Sequence, residues 1–514
     1  MNTRAAEIPA EDQEAAKAVI AVYGTALGGI EPDYFVKNRA DGPYLIIEFQ
    51  NPQERHHRIL AQVLTNIPPD NPFKDRTAIL KRKKAPEQRL SLPEARMLKM
   101  EIAECLTIDR HSFDGDFFSR YTPSVFDLEQ QIITRANYIV YGRRGAGKSS
   151  LLSYAMQIAK RDKLPFCWIA MQTFANRSDL EVVPAVLAAI LHEISSIEHI
   201  QSEATLIYET LSALSEGSSR SVLTRCDKLI PRVRNLFTKI ATKTVPLTIF
   251  LDDIHVLRSD LQPLVLSYIY KTTRGNNAFI KASGIDQLTR LWDESNSIGL
   301  KPVHDTQVLN LDLNLTMPEK SKEHITKILD LHAKYCGLSN INYIAGDPVL
   351  SRLVLAAAGV PRDALNLFSI AFSKALLGGQ KLVSVNSINT ATSEMAEQKI
   401  KDIELDSGED IKTVKYMLDE IKDFCLNKEH QNAFLVEIKN SDDRYRLIQK
   451  LAALRLVHLL HEGITPREAG RRFIALMLDF GFYVGIRAAK SVSLILAEPK
   501  ELLAKDLRSL PIFK

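Results

Sequence analysis

The run Gly142-Arg143-Arg144-Gly145-Ala146-Gly147-Lys148-Ser149 constrains the fold of this chain more than any other part of it. It satisfies G-x-x-x-x-G-K-[ST] in full, a pattern whose glycines let a loop turn tightly so that successive N–H groups point at phosphate oxygens. The apolar run Tyr138–Tyr141 before it predicts a buried strand, and Ser150–Ala159 after it has helical spacing. The sequence therefore predicts a phosphate site at a helix N-terminus.

The residue types in this loop indicate a nucleotide and a metal ion as ligands. Lys148 is expected to reach the β- and γ-phosphates, and the Ser149 hydroxyl is expected to ligate Mg²⁺. The expected cofactors are therefore ATP or ADP together with Mg²⁺. The predicted nucleotide contacts are Gly142, Arg143, Arg144, Gly145, Ala146, Gly147, Lys148, Ser149 and Ser150.

A second motif supplies carboxylates. The apolar strand Leu247–Leu251 ends in Asp252 and Asp253, at the carboxyl end of a strand, where α/β sheets bind ligands. Asp252 is expected to hold Mg²⁺ through water, and Asp253 to orient the attacking water in catalysis. Asp253 is one methylene shorter than the Glu of a fast ATPase, which favours slow hydrolysis and switching.

The next strand, Ala278–Ala282, is followed by Ser283. Placed between the two motifs, Ser283 is a candidate to hydrogen-bond the γ-phosphate or the attacking water. The alternative is that this serine simply starts a turn before Gly284.

Strands and helices alternate through the middle of the chain, which predicts β-α-β units and a parallel sheet covered on both faces. A helix interrupted at Pro231 precedes the Asp-Asp strand, and a short helix is predicted over Asp286–Asp293. Beyond Thr316 the pattern is helical, and from about Asp410 helices are followed by a hairpin, which is typical of a winged helix. The predicted strands are Tyr138–Tyr141, Phe166–Met171, Leu247–Leu251, Ala278–Ala282 and Thr306–Leu313.

The fold class is therefore predicted to be an α/β P-loop NTPase with a parallel sheet core, a helical lid and a C-terminal winged helix. The length of 514 residues suits such a multidomain chain. The segment 385–405 is either a linker or a long helix. The predicted divisions are an N-terminal extension of unknown role (1–110), an ATPase core (111–314), a lid (315–400), a winged helix (405–490) and a C-terminal tail (491–514).

Composition limits which binding partners and which cellular compartment we expect for this chain. The chain has 66 Lys and Arg against 62 Asp and Glu, a net charge of +4, so any nucleic-acid contact must come from local patches. Its five cysteines are scattered and never form C-x-x-C, which excludes zinc-ribbon spacings and indicates reduced thiols. With no apolar run of membrane-spanning length and a polar N-terminus, we expect a cytoplasmic protein without membrane contact.

From about Phe113 to Arg487 the chain resembles AAA+ ATPases of the clade that contains the origin-recognition-complex and archaeal replication-initiator proteins, and their bacterial relatives. Two motifs of this clade match the phosphate loop and the Asp-Asp strand. A third motif, the polar residue called the first sensor, matches Ser283. The run Gly359–Phe368 carries a fourth. The resemblance implies that Arg362, in this Gly-x-x-Arg, is the second sensor, which reaches the γ-phosphate from the lid. The alternative is an ordinary surface arginine at a helix start.

The fifth match is the winged helix, for which the resemblance implies duplex DNA as a partner. Acidic residues are interspersed, and winged helices also dock proteins, so a protein partner stays open. A neighbouring subunit's arginine finger is expected in the helix before the last core strand, where Arg290 lies, with Arg274 as its rival. The candidate DNA contacts are Arg444, Arg446, Lys450, Arg471 and Arg472. A second basic stretch, which runs from Arg220 to Arg234, is more typical of a solvated face.

The resemblance implies an ATPase switch in which ATP·Mg²⁺ closes core against lid and repositions the winged helix on DNA or a partner, in bacterial genome maintenance or anti-phage defence. Two alternatives remain. One is a STAND-type signalling NTPase with an ADP-held resting state and a protein-docking winged helix. The other is a transposition-helper ATPase that self-assembles on DNA.

Overall fold

The computed structural model describes residues 9–39, 41–83, 87–106, 113, 116–177, 179–216, 221–313, 315–406, 411–439, 442–465, 471–484 and 504–513. The chain divides into two compact units. The first comprises Met1–Thr107, Asn314–Gly359 and Asp363–Lys514, and the second comprises Ile108–Leu313 with Val360–Arg362.

The N-terminal part of the first unit contains a small sheet with helices. Strand β2 pairs antiparallel with β1 and parallel with β3. The Arg82 side chain, only 8% exposed, lies 2.7 Å from Asp33 and 3.7 Å from Glu94, so this arginine is part of the packed structure. The elements are α1 (Ala10–Ala26), β1 (Asp33–Arg39), β2 (Gly42–Phe49), α2 (Glu54–Asn66), β3 (Thr77–Lys81) and α3 (Pro93–Glu104).

The second unit is built on a five-stranded parallel sheet in the order β10-β4-β7-β6-β5. Its strands are β4 (Tyr138–Tyr141), β5 (Phe166–Ala170), β6 (Leu247–Asp252), β7 (Ala278–Gly284) and β10 (Gln307–Asn310). Its helices are α4 (Asp116–Arg120), α5 (Leu128–Ile132), α6 (Lys148–Arg161), α7 (Val182–Ile194), α8 (Gln201–Glu216), α9 (Val222–Ile240) and α10 (Leu261–Thr273).

Successive residues of the strands enter two different cores, one on each face of this sheet. Ile139 and Ile249 belong to the core that includes α7, α9 and α10. Val140 and Phe250, their neighbours along the strands, belong to the core that includes α5 and α6. Continuous apolar runs are therefore required in these strands, because a parallel sheet of this kind is buried on both faces.

Two sequence predictions in this unit were wrong. The helix predicted to break at Pro231 continues as α9; Pro231 is exposed, so its ring displaces no packed side chain. The helix predicted over Asp286–Asp293 is a short 3-10 turn, Asp286–Leu288, followed by β8 (Trp292–Asp293). Strand β8 pairs antiparallel with β9 (Ile298–Gly299), and this local pairing prevails over helical spacing.

Beyond β10 the first unit resumes with four helices: α11 (Pro318–Tyr335), α12 (Asp347–Ala356), α13 (Pro361–Leu377), whose first two residues belong to the second unit, and α14 (Val385–Asp406). Segment 385–405 is thus a long helix and not a linker. Ile388, Ala391 and Ala396 of α14 are buried in the core of the first unit, which fixes this helix by packing.

A helix, a strand, a helix and a hairpin follow. The antiparallel sheet has the order β11-β13-β12, with every residue of β13 buried. The end of the predicted tail joins this sheet, since the Phe513 N–H donates to the Leu435 carbonyl at 2.9 Å. The elements are α15 (Ile411–Asp423), β11 (Ala433–Glu437), α16 (Asp443–Ala453), β12 (Val457–Ile464), β13 (Phe473–Leu478) and α17 (Ala504–Leu507). We call α15 to β13 the helix-and-hairpin region.

Among the residues that the structure describes, no helix has the length and apolar character needed to cross a membrane.

Candidate nucleotide site

The loop between β4 and α6 has the backbone that its glycines permit. Gly145 has φ +83° and Gly147 has φ +98°, in the left-handed region that favours glycine. A Cβ atom at Gly145 would lie 2.7 Å from the Cβ of Arg362. Helix α6 begins at Lys148, so its N-terminus, with its unpaired N–H groups, faces the loop.

Lys148 lies inside this loop. This residue is only 6% exposed. Its Nζ donates hydrogen bonds to the carbonyls of Gly142 at 3.0 Å and Arg143 at 3.2 Å. Burial lowers the pKa of Lys148, and the charges of Asp253 and Asp252 oppose that shift. The ammonium is therefore held at the loop, within the electrostatic reach of both carboxylates.

Asp252 stands at the centre of the site. Its Oδ1 accepts hydrogen bonds from the Ser149 hydroxyl at 3.1 Å and the Ser283 hydroxyl at 2.6 Å. The Ser283 oxygen in turn accepts from the Asp253 N–H at 2.8 Å. Strand β7, which lies between β4 and β6, brings Ser283 between the phosphate loop and the two acids.

The pair Ser149 and Asp252 fits a magnesium ion. The Ser149 hydroxyl offers a direct oxygen ligand, and Asp252 Oδ1, 3.1 Å from it, lies within reach of a water bound to the same ion. Burial and the neighbouring Asp253 raise the pKa of Asp252. A bound cation would favour the charged form of this carboxylate, so the chemistry of the donor set agrees with the geometry.

Two residues of the site were not predicted from the sequence. Asp312, just past β10, accepts from the Arg143 N–H at 2.8 Å and from its Nε at 3.3 Å, which fixes the loop. His255 Nδ1 lies 3.7 Å from Asp253 Oδ1, and burial lowers the pKa of His255 to about 4. Both follow strand ends at the edge that carries the acids, and this position is the signal that would have found them.

Arg362 lies beside the phosphate loop. Its N–H donates to the Gly145 carbonyl at 3.2 Å, its side chain is exposed, and its charge contributes to lowering the pKa of Lys148. Val360–Arg362 cluster with the second unit even though the rest of α13 belongs to the first. The start of α13 is thus placed at the nucleotide loop.

The two arginine-finger candidates are engaged with nearby residues of their own chain. Arg290 donates to Asp293 at 2.9 Å and follows a 3-10 turn, not the expected helix. The Arg274 guanidinium lies 5.7 Å from the centre of the Tyr270 ring. Within the described residues, no hydrogen bond joins either arginine to the phosphate loop.

The candidate DNA contacts differ in how accessible they are. The side chains of Arg446 and Arg471 are 66% and 59% exposed, with Asp443 and Glu437 at 3.2 Å and 3.7 Å. Arg472 is exposed and Lys450 is half-buried. Arg444 pairs with Glu420 at 3.0 Å and stacks over Phe513. Arg220, at the start of the second basic stretch, and Arg467, between β12 and β13, lie outside the described residues.

No protein-family model and no curated protein sequence matches the chain. It is similar to the structure of the Drosophila ORC bound to DNA, with 15% identity over 85% of this chain and 99% of that one and a TM-score of 0.37. It is also similar to the Aeropyrum pernix ORC1 protein in complex with DNA, with 13% identity over 75% of this chain and 96% of that one and a TM-score of 0.39. A third similar structure is Cdc6p from Pyrobaculum aerophilum, with 14% identity over 72% of this chain and 94% of that one and a TM-score of 0.34.

These similarities are low in identity and in TM-score, and the fold is evident without them. A five-stranded parallel sheet holds the phosphate loop after β4 and the two acids at the end of β6, with β7 between these strands. By this arrangement the chain has the fold of a P-loop NTPase.

Proposed function

We propose that this chain is an ATPase that binds ATP with Mg²⁺ at the phosphate loop and uses the nucleotide state to control its binding to duplex DNA. One observation carries the proposal: Asp252 Oδ1 accepts from both Ser149 and Ser283 beside the buried Lys148. A phosphate-binding cation, an oxygen pair suited to a metal and a hydroxyl that fixes the acid are thereby combined in one site.

Each residue has a distinct task in hydrolysis. The Lys148 ammonium and the loop N–H groups bind and orient the β- and γ-phosphates. Ser149 and Asp252 hold Mg²⁺, which supplies charge neutralisation at those phosphates when it is bound. Asp253 orients the attacking water and accepts its proton, and Ser283 keeps both acids in position. The short side chain of Asp253 favours slow turnover.

A chain of contacts supports coupling between nucleotide and the helix-and-hairpin region. Arg362, the proposed second sensor, is tied by its backbone to Gly145. The next residue along α13, Asp363, is buried and forms an ion pair with Arg455, which follows α16. A shift of Arg362 on γ-phosphate binding would therefore move an anchor of the region that we propose binds DNA.

Exposed charge supports DNA as the ligand of that region. Arg446 on α16 and Arg471 and Arg472 before β13 present three guanidinium groups to solvent. In the winged-helix arrangement that we infer, α16 contacts the major groove and the hairpin contacts phosphate. Arg444 has a structural role instead, because Glu420 and Phe513 hold it.

Fluorescence anisotropy with a labelled duplex tests this function, with no nucleotide, Mg·ADP or Mg·ATP, across a series of salt concentrations. We expect ATP to strengthen binding, and the double variant Arg446→Glu/Arg471→Glu to weaken it. Removing one arginine from a DNA phosphate should reduce the slope of log K against log[salt] by about 0.9, so the double variant should reduce it by at least that amount through Arg471.

The matched control is Arg225→Glu/Lys228→Glu, a double charge reversal on the exposed face of α9. It should leave affinity and salt slope close to wild type. If this control loses binding and the first variant does not, the helix-and-hairpin region is not the DNA reader. Tightly held ADP in the purified protein without DNA affinity at any salt would instead indicate the signalling type of NTPase.

A further inference from the structure

A cluster of metal-ligating side chains lies in the first unit, outside the nucleotide site. Glu101 and Cys105 are one turn apart at the end of α3, and His332 comes from α11. One potential ligand atom from each residue lies within 4.8 Å of the other two. All three residues are buried, with exposures of 8%, 7% and 3%. Because α3 and α11 are far apart in sequence, no ligand spacing could reveal this cluster.

The three ligand atoms form a closed triangle. Glu101 Oε1 lies 3.2 Å from His332 Nδ1 and 3.4 Å from Cys105 Sγ, and Sγ lies 3.8 Å from Nδ1. In a tetrahedral zinc site, bond lengths of about 2.3 Å to sulfur and about 2.1 Å to nitrogen and oxygen place ligand atoms about 3.3–3.6 Å apart. The observed edges bracket this range.

Without an ion, two hydrogen bonds join the cluster, since the Cys105 thiol and His332 Nδ1 both donate to Glu101 Oε1. An N–H···O bond is usually about 2.9–3.0 Å long, and the edge between Nδ1 and the carboxylate is longer. The third edge, between Sγ and Nδ1, carries no proton in that arrangement. A cation at the centre satisfies all three atoms together.

We propose that Glu101, Cys105 and His332 bind a divalent ion of the zinc class. Sulfur, imidazole and carboxylate donors in tetrahedral geometry select zinc over magnesium, which prefers oxygen ligands in an octahedron. On binding, the Cys105 thiol loses its proton to solvent, its thiolate forms the bond to the metal, and no electron is transferred. Three protein donors leave a fourth position on the ion.

The position of the site indicates what the ion does. It joins the end of α3, in the N-terminal region, to α11, the first helix after β10. Since a metal that binds the folded state stabilises it, the ion would fasten the N-terminal region to the helical part of the same unit. This role is independent of ATP chemistry, because the ligands belong to a different unit from the phosphate loop.

Cobalt titration of the full chain after chelator treatment tests the proposal. We expect one Co²⁺ per chain to give a thiolate-to-cobalt charge-transfer band, which Zn²⁺ abolishes by competition. Co²⁺ bound at Ser149 and Asp252 would not give this band, because that site offers oxygen donors. Cys105→Ser should abolish the band, and His332→Gln should weaken Co²⁺ affinity by at least about 100-fold, more than removal of an outer-shell partner costs.

Cys425→Ser is the matched control, since Cys425 is a buried thiol of the same unit outside the cluster. It should keep the band and the affinity. Circular dichroism in the presence of chelator checks that each variant is folded. The proposal is overturned if the folded wild type gives no charge-transfer band at saturating Co²⁺, or if the band persists in Cys105→Ser.

Discussion

The Ser283 hydroxyl donates to Asp252 at 2.6 Å and at the same time accepts from the Asp253 N–H at 2.8 Å. Ser283 thus contacts the Asp252 carboxylate and the backbone N–H of Asp253. It is placed to do so because β7 lies between β4 and β6. These two contacts are the observations that support our proposal of Ser283 as a sensor.

Ser283→Ala should lower ATP turnover by roughly 10- to 100-fold while changing ATP affinity only a few-fold. The reason is that the acids lose a fixed donor and acceptor, whereas the phosphate loop is untouched. Steady-state turnover and equilibrium ATP binding measure the two effects separately. Ser153→Ala is a suitable control, because Ser153 is buried nearby in α6 and its hydroxyl has no hydrogen-bond partner within the described residues. Equal losses in both variants would count against a role for Ser283.

Asp252→Asn should remove the dependence of ATP affinity on magnesium, because an amide oxygen binds Mg²⁺ far less well than a carboxylate. Asp253→Asn should keep that dependence and lose turnover by roughly 100-fold or more, because the general base is gone. Calorimetry with ATP, with and without Mg²⁺, distinguishes the two variants. The same phenotype in both would contradict the division of roles between these acids.

Arg362→Ala should reduce ATP affinity by about tenfold and leave ADP affinity nearly unchanged, because the predicted contact is to the γ-phosphate. Competition between the two nucleotides at equilibrium measures this ratio. Arg352→Ala on α12, whose guanidinium stacks over Phe480, serves as a control for loss of an arginine. An unchanged ratio of ATP to ADP affinity would show that Arg362 is not the second sensor.

Asp479 should make the stability of the first unit sensitive to acid. This residue is buried, and burial raises its pKa. The neighbouring Lys399 at 2.7 Å and His458 at 2.9 Å more than offset that effect and hold the pKa well below its usual range. The unfolded state therefore binds the proton more readily, so the contribution is present above about pH 4 and is lost as the pH falls further.

Asp479→Asn should accordingly destabilise the protein by roughly 3 kcal/mol at neutral pH and by less near pH 3. Denaturant unfolding at both pH values gives the comparison. Asp419→Asn, which removes a largely exposed carboxylate 3.5 Å from Lys422, should have little effect at either pH. A difference between wild type and Asp479→Asn that does not shrink in acid would refute the ionic basis of this cluster.

Much of the second unit could be predicted from its sequence because its strands are continuous apolar runs buried on both faces. Tyr138–Tyr141 is β4 to the residue, and the acids and Ser283 lie at the strand ends where they were expected. The spacing of apolar residues predicts the wrong structure where local strand pairing decides it. In β8 and β9, a hairpin replaces the predicted helix.

The remaining parts of the fold and of the site depend on contacts between distant segments, which cannot be inferred from a single sequence. Asp312 reaches Arg143 only because β10 pairs with β4. Cys105 meets His332 only because α3 packs on α11. The fold of the N-terminal region could not be predicted for the same reason, since its core includes side chains of helices that come much later in the chain.

Isothermal titration of Mg·ATP into the wild type and Lys148→Ala tests the central claim most directly. The Lys148 ammonium is buried in the phosphate loop, so the account predicts binding of one nucleotide per wild-type chain and none detectable in Lys148→Ala. Lys160→Ala, at the other end of α6, should bind as the wild type does. An ATP affinity unaltered by Lys148→Ala would contradict the nucleotide site and the function built on it.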